Sequence, residues 1–177
     1  KTWYPVNMIK DEFVRIGYQG GWSHYEDWYE IKKPINELFN KYKNLKLVLM
    51  GQTYPGLMKD IGSDRIESHG WEDMAVYPYK FKTLNIDIGV APIANNEFSV
   101  CKSEIKWEEY SSLKIPTVAS NIPPYSLNIE DRKTGFLCSS EDEWFNVLSE
   151  LVEREELRKE VGENARKHIF ENYNLDV

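Results

Sequence analysis

Lys102, Lys106 and Glu109 are the residues of this chain whose types and spacing most directly suggest chemistry. They stand in the stretch K-S-E-I-K-W-E-E-Y-S-S-L-K-I-P-T-V-A-S, residues 102–120. A helix of about 3.6 residues per turn brings the three onto one face. Two cations then sit near the helix start, with a carboxylate one turn deeper. That arrangement suits a ligand with both phosphate and hydroxyl groups. Cations and free helix N–H groups favour the phosphate, and an ionised carboxylate accepts from hydroxyls. Taken alone, the same residues also describe a solvated helix face. Lys102 and Lys106 form a mildly unfavourable i,i+4 pair, offset in part by an i,i+3 pair between Lys106 and Glu109. The sequel favours a ligand site: Ile115-Pro116 ends the helix, and Thr117-Val118-Ala119 reads as a short buried strand.

The elements that must position these residues belong to a chain of 177 residues, long enough for one domain with a proper core. A hydrophobic fraction of 41% and a charged fraction of 29% are those of a globular protein. No apolar run approaches the roughly 20 residues that span a bilayer. A net charge of −7 argues against a nucleic-acid partner, which demands a basic face. Cys101 and Cys138 have no metal-ligand spacing and read as reduced thiols of a cytoplasmic protein. No His or Asp cluster suggests a metal either. The chain begins at Lys1, which reads as the start of a piece cut from something longer.

Strand-like and helix-like segments alternate along the chain, the pattern of βαβ layers. Strands are expected over Phe13–Tyr18, Leu45–Met50, Arg65–His69, Ile86–Ile93, Pro116–Ala119 and Gly135–Cys138. Leu45–Met50, a run apolar but for Lys46 and closed by Gly51, should be buried on both faces. A helix is expected over Asp27–Tyr42, with Asp27 and Glu30 as a capping box and a kink or late start at Pro34. Further helices are expected over Tyr77–Leu84, after Ser140 (a second capping box with Glu143), and over Glu155–Tyr173, where Gly162 is a weak point. Asn95–Val100 and Pro123-Pro124-Tyr125 read as loops. Six strands with crossover helices imply an α/β fold, a doubly wound, Rossmann-like parallel sheet with helices on both faces. Ligands of such sheets bind beyond the carboxyl ends of the strands. The loops that follow the strands, and the start of the lysine helix, share that rim.

The segment 102–120 resembles the signature of retaining GT-B glycosyltransferases of the glycosyl transferase group 1 type. That signature is a K-S-x-x-K-x-x-E-Y helix followed by a small loop, Pro and a β-run ending in Ala-Ser. Phe13–Gly21 with His24 and Asp27 is similar to the first strand and glycine loop of the family's C-terminal half. Leu47–Gly51, Asp87–Pro92, Gly135-Phe136-Leu137 and the tail Leu157–Asn174 match further pieces of it. The resemblance covers nearly the whole of residues 1–177 as one nucleotide-sugar-binding domain, and implies that an N-terminal, acceptor-holding half is missing. It implies transfer of a glycosyl group from a nucleoside-diphosphate sugar to a sugar, lipid or protein hydroxyl, with the anomeric configuration retained. No cofactor or metal is implied.

Carried over by position, Glu109 would bond the ribose hydroxyls. Lys102, Lys106 and the backbone around Ser103 and Ile105 would hold the diphosphate and the sugar, with Lys102, nearer the helix start, mattering more. Gly20, Gly21 and His24 would let the first loop approach the phosphates. Gly70 and Trp71 fall where the family's loop meets the base, although Trp71 reads better as a packing residue. Tyr125 is a minor candidate. Two departures stand out. Cys101 occupies the place of the first glutamate in an E-x7-E pattern, and the first loop offers no cation before Lys32. The missing half would determine any attachment to the inner face of the membrane. A non-catalytic nucleotide-binding module and a sugar-nucleotide epimerase of the same fold remain the alternatives, because fold alone does not decide among them.

Overall fold

The structure is a computed structural model that describes residues 11–173 except 55, 57 and 58, with the backbone alone at residue 22. Its strands are β1 Val14–Gly20, β2 Leu45–Gly51, β3 Ile66–His69, β4 Ile88–Ala91, β5 Thr117–Ser120 and β6 Phe136–Cys138. All six pair in parallel, in the order β3-β2-β1-β4-β5-β6. Parallel neighbours require crossovers. These carry α1 Tyr25–Lys41, α2 Tyr77–Phe81, α3 Ile105–Ser112 and α4 Tyr125–Asn128, and α5 Glu141–Glu153 and α6 Glu155–Asn172 follow β6. This is the doubly wound, Rossmann-like sheet that the sequence implied. Its strand order reverses between β1 and β4.

Successive strand side chains point to opposite faces, and the core divides accordingly. Leu47 and Leu49 of β2 pack with Ile31, Ile35 and Leu38 of α1 and with Leu148 and Leu151 of α5. Val48 and Met50 pack on the other side with Phe81, Leu113 and Tyr110. Each such side chain contributes roughly 1.5–3 kcal/mol on burial. The sheet is therefore held from both sides, and its carboxyl edge is a fixed platform.

Several local expectations change. Asp27 and Glu30 form no capping box, because α1 starts at Tyr25 with His24 as N-cap and Asp27 already lies inside the first turn. The helix runs on through Pro34 without a late start. Proline forfeits one backbone bond there, but burial of Trp28, Ile31, Ile35 and Leu38 outweighs the loss. The second box is present in half: Glu143 N donates to the N-cap Ser140 Oγ at 3.2 Å, whereas Glu143 Oε2 accepts at 2.6 Å from the amide of Ser139, one residue before the cap. Gly162 is no weak point. A Cβ there would lie 2.1 Å from the Lys114 carbonyl oxygen, so glycine lets α6 press against the turn that follows α3. The loop after β5 is shorter than expected, since α4 starts at Tyr125. The Asn95–Val100 loop runs into a 3-10 turn over Ser99–Cys101.

Candidate functional site

The rim where β1 and β4 lie side by side carries the first glycine loop. Its carbonyls are turned into the protein: Gly20 O accepts from Gln52 N at 2.8 Å, and Gly21 O accepts from His24 N at 3.1 Å and from the Tyr54 hydroxyl. Opposite it, Gly51 ends β2 at φ +100, a conformation that favours glycine. A Cβ on Gly51 would strike Gly20 O and the Trp71 ring, each at 2.7 Å. Trp71 thus lies across the glycine rim while remaining 60% exposed. It is not the packing residue expected from the sequence. A Cβ on Gly70 would meet nothing within 4 Å, so no steric need for glycine exists there.

On the neighbouring strand, α3 is pinned by three aromatic contacts. Tyr110 covers Gly89, where a Cβ would come within 2.5 Å of its ring, and its hydroxyl donates to Gly17 O at 2.8 Å. Trp107 donates from Nε1 to Thr134 O at 2.8 Å. With Trp107, Tyr110 and Ser111 buried, the helix cannot roll, and Lys106 and Glu109 are fixed in turn. Lys102, however, does not share that helix face. It caps the turn Ser99–Cys101 with extended backbone (φ −71, ψ 165), and α3 begins only at Ile105. Its ammonium is drawn instead to the other wall of the cleft.

That wall is Asp27. Only 1% exposed, its carboxylate accepts from Lys102 Nζ at 2.7 Å and from Ala94 N at 2.8 Å, and contacts His24 Nδ1 at 2.6 Å. Burial alone would raise its pKa. The bonds from His24, Lys102 and the Ala94 amide outweigh that cost and hold it at about 2. With a hydrogen on Nδ1, His24 donates to Asp27, and its Nε2 lies 3.4 Å from Lys106 Nζ. Lys106 is 7% exposed and lies over the Tyr18 ring, 5.9 Å from its centre. Burial pushes its pKa down to about 8, with nearby Lys102 adding to the fall and Asp27 and Glu109 opposing it. Lys102, His24 and Lys106 therefore line one cleft, bound together through a single carboxylate.

Glu109 lies one turn deeper. It does not take its hydrogen bonds from Lys106: Gln19 Nε2 and the Tyr77 hydroxyl both donate to its Oε2, at 2.5 and 2.8 Å. Burial raises its pKa to about 7, against the pull of those two bonds and of Lys106. Its Oε1 receives no hydrogen bond from the described residues. Gln19 Oε1 is likewise buried without a donor. Glu109 Oε1 is thus the acceptor left for a hydroxyl group. Ser103 and Ile105 flank the α3 N-terminus, where no side chain caps the first-turn amides. Tyr125 is buried in the core, away from solvent.

The structure therefore gathers Gly20, Gly21, His24, Lys102, Lys106 and Glu109 at the junction of β1 and β4. Reading the sequence placed Asp27 beside the first loop without giving it a role in the site, and missed Gln19 and Tyr77. The signal for Asp27 was its place three residues after His24, one helical turn on, where the two side chains meet. Gln19 and Tyr77 carried none, because nothing local ties either to Glu109. Among the described residues, no group of three or more His, Cys, Asp or Glu side chains is arranged to hold a metal ion. Cys101 is exposed and Cys138 buried, both as free thiols. No described helix is long and apolar enough to cross a membrane.

The chain matches no protein family profile and no curated protein. Its fold is that of the C-terminal domain of GT-B glycosyltransferases. The C-terminal domain of a glycosyl transferase group 1 family protein, LpcC from Francisella tularensis, superposes with a TM-score of 0.73 at 16% identity, over 98% of this chain and 97% of that one. TarM from S. aureus, crystallised with fondaparinux, α-GlcNAc-glycerol and UDP, gives 0.71 at 17% identity over 95% of this chain. HepE from Anabaena, crystallised with UDP and glucose, gives 0.71 at 15% identity over 90% of this chain. The chain spans 35% of the TarM chain and 44% of the HepE chain.

Proposed function

We propose that this chain is the donor-binding part of a glycosyltransferase, which moves a glycosyl group from a nucleoside-diphosphate sugar to an acceptor hydroxyl. The observation that carries the reading is the convergence of Lys102, Lys106 and the uncapped α3 amides at the β1/β4 switch point, with Glu109 one turn away. That is where ligands bind in doubly wound sheets, and the groups match diphosphate and ribose respectively. Solved proteins of this fold that hold UDP give it further support.

In this reading the cations and amides hold the diphosphate, and Glu109 Oε1 accepts from the ribose. The largest demand of the reaction is charge developing on the departing diphosphate. Fixed cations and oriented amides stabilise it without reorganising, so no metal or cofactor is needed. Lys106 approaches from a buried position where its charge is weakly screened. Retention of configuration belongs to the same proposal.

Residues 1–177 act here as a single domain whose acceptor-holding partner lies elsewhere in a longer polypeptide. Exposed apolar side chains support this, because Tyr25, Trp71, Met74, Phe98, Val100 and Ile105 all lie on segments leaving the carboxyl ends of strands. Such exposure marks a face meant to be covered. A cytoplasmic location, with any membrane attachment made through the missing half, completes the proposal.

A thermal-shift panel of UDP, GDP, ADP and their sugars tests the reading. At least one diphosphate should raise the melting temperature, whereas transfer by this chain alone should be weak or absent. A flat response to every nucleotide would overturn the donor assignment, and robust turnover would overturn the division of labour.

A further inference from the structure

No lysine or arginine stands between Arg15 and Lys32. The first loop therefore reaches the cleft with one group able to carry positive charge, the His24 imidazole. Its neighbours fix that ring. The His24 amide donates to Gly21 O at 3.1 Å, and Nδ1 meets the Asp27 carboxylate at 2.6 Å. Nε2 is the nitrogen left on the cleft side, 3.4 Å from Lys106 Nζ, on a side chain that is 19% exposed.

An ammonium has three donors and no acceptor. A hydrogen on Nε2 would therefore set donor against donor in the empty cleft, whereas a hydrogen on Nδ1 alone suits both neighbours. The charged and titratable groups around the ring come from several elements. α1 gives Asp27, which is ionised, and α3 gives Lys106 and, one turn deeper, Glu109. The turn before α3 gives Lys102, already paired with Asp27 at 2.7 Å. β1 and the loop after β2 give Tyr18 and Tyr54, whose phenols burial keeps neutral. Lys106 and the positive end of α1 oppose a charge on the ring, and Asp27 favours one. An anion seated against Nε2 tips that balance, because a phosphate oxygen can accept from Nε2 and from Lys106 together.

We propose that His24 supplies the positive charge that the first loop otherwise lacks, by taking up a proton when a diphosphate enters the cleft. The inference rests on the donor reading of this site. The Nδ1 hydrogen stays on Asp27, a proton from solvent binds Nε2, and Nε2–H donates to a phosphate oxygen. No covalent bond of the ligand changes, and the proton returns to solvent when the diphosphate leaves. Asp27 is then a positioning residue: it turns Nε2 toward the cleft and balances the charge that the ring acquires.

The test uses the full chain labelled with ¹⁵N. Long-range ¹H–¹⁵N spectra report the protonation of each imidazole nitrogen. The chain has three histidines, and His24 is assigned by the signals lost in His24→Asn. The probes are UDP-glucose, GDP-mannose and ADP-glucose, none of which has a phosphate that titrates near neutrality. At pH 7 the free protein should show His24 with a hydrogen on Nδ1 alone, and saturation with the probe that binds should protonate Nε2. His24→Asn keeps a polar group beside Asp27 and removes the Nε2 arm. Its affinity for that probe should fall about tenfold at pH 6.5 and by less at pH 8.5, where the ring gains a proton less readily, with the bare nucleoside unaffected. A merely structural ring would move neither the Nε2 signal nor the pH dependence of the loss. An Nε2 unprotonated in the complex, or already protonated in the free protein, would overturn the proposal and leave the donor reading standing. So would a His24→Asn protein that binds the probe as wild type does. Failure of all three probes to bind would overturn the donor reading, and this proposal with it.

Discussion

Lys102 Nζ stands 2.7 Å from Asp27 Oδ2, an ion pair that joins the loop before α3 to the first turn of α1 across the β1/β4 junction. The same carboxylate bonds the Ala94 amide and meets His24. One buried side chain thus sets the positions of a cation, an imidazole and a strand-end loop.

Asp27→Asn should therefore destabilise the fold by about 1.5–3 kcal/mol, the loss of charge-assisted hydrogen bonds, a fall in Tm of the order of 5 °C. The sign with pH follows from a depressed pKa. The stabilisation is present above the ordinary carboxylate range and is lost as pH falls toward about 2. Calorimetry at pH 7 and at pH 2 should show the gap between wild type and variant closing in acid. A gap unchanged at pH 2 would mean that the charge of Asp27 contributes nothing.

Glu109→Gln should leave the fold intact, because the amide oxygen still accepts from Tyr77. Nucleotide affinity should fall by roughly 1.5–3 kcal/mol, the worth of a hydrogen bond to a charged acceptor. Isothermal calorimetry decides, and wild-type affinity would make Glu109 a purely structural partner of Gln19 and Tyr77.

The pH dependence of donor binding follows from the same two groups. A ribose-binding Glu109 must be ionised, and its pKa is raised to about 7; a phosphate-binding Lys106 must be protonated, and its pKa is lowered to about 8. Affinity for a nucleoside-diphosphate sugar should rise as pH increases through the first value and fall through the second. Such a sugar has no phosphate that titrates in this range, so the limbs belong to the protein. Calorimetry from pH 5.5 to 9 should give a bell for wild type and should lose the acid limb in Glu109→Gln. An acid limb that persists in the variant would assign it elsewhere.

Much of this site was legible in the sequence where residues adjacent in the chain act together. The run Leu45–Met50 announced a strand buried on both faces, and all but the half-exposed Lys46 are buried. The spacing of Lys106 and Glu109 placed both on α3. What failed depended on distant partners. Lys102 leaves the helix because Asp27, 75 positions away, binds its ammonium. The helical spacing of Asp27 and Glu30 looked like a cap until the fold buried Asp27 against Ala94. Gly162 looked like a flaw because nothing near it in sequence reveals the backbone of Lys114.

That last contact gives a stability test independent of any ligand. Gly162→Ala places a methyl group 2.1 Å from the Lys114 backbone oxygen, so either α6 or the turn after α3 must shift. Overpacking of this kind costs about 1–3 kcal/mol or more, although alanine is the better helix former by about 1 kcal/mol. Gly70→Ala, with open space around it, should stay within about 0.5 kcal/mol of wild type. Urea titration of both variants separates the two cases, and a Gly162→Ala protein as stable as wild type would mean that α6 is not in backbone contact with the turn at Lys114.

The two lysines were expected to rank with Lys102 first, because it stands nearer the helix start. The geometry argues for the opposite order. Lys102 shares its charge with a fully ionised Asp27, whereas the near neighbour of Lys106 is an imidazole. A diphosphate entering the cleft meets a cation already neutralised and a buried one whose field is little screened. Lys106→Ala should therefore reduce affinity for the nucleoside diphosphate more than Lys102→Ala does, and neither should much affect the bare nucleoside. The ratio of the two affinities isolates the phosphate contribution, since base and ribose contacts cancel. Lys106→Arg should restore part of the loss if charge is the cause, although its broader head group is not interchangeable with an ammonium. Measured by calorimetry at pH 7, a diphosphate-to-nucleoside ratio equal to wild type in both alanine variants would reduce the lysines to packing residues and remove the main support for a donor site at this rim.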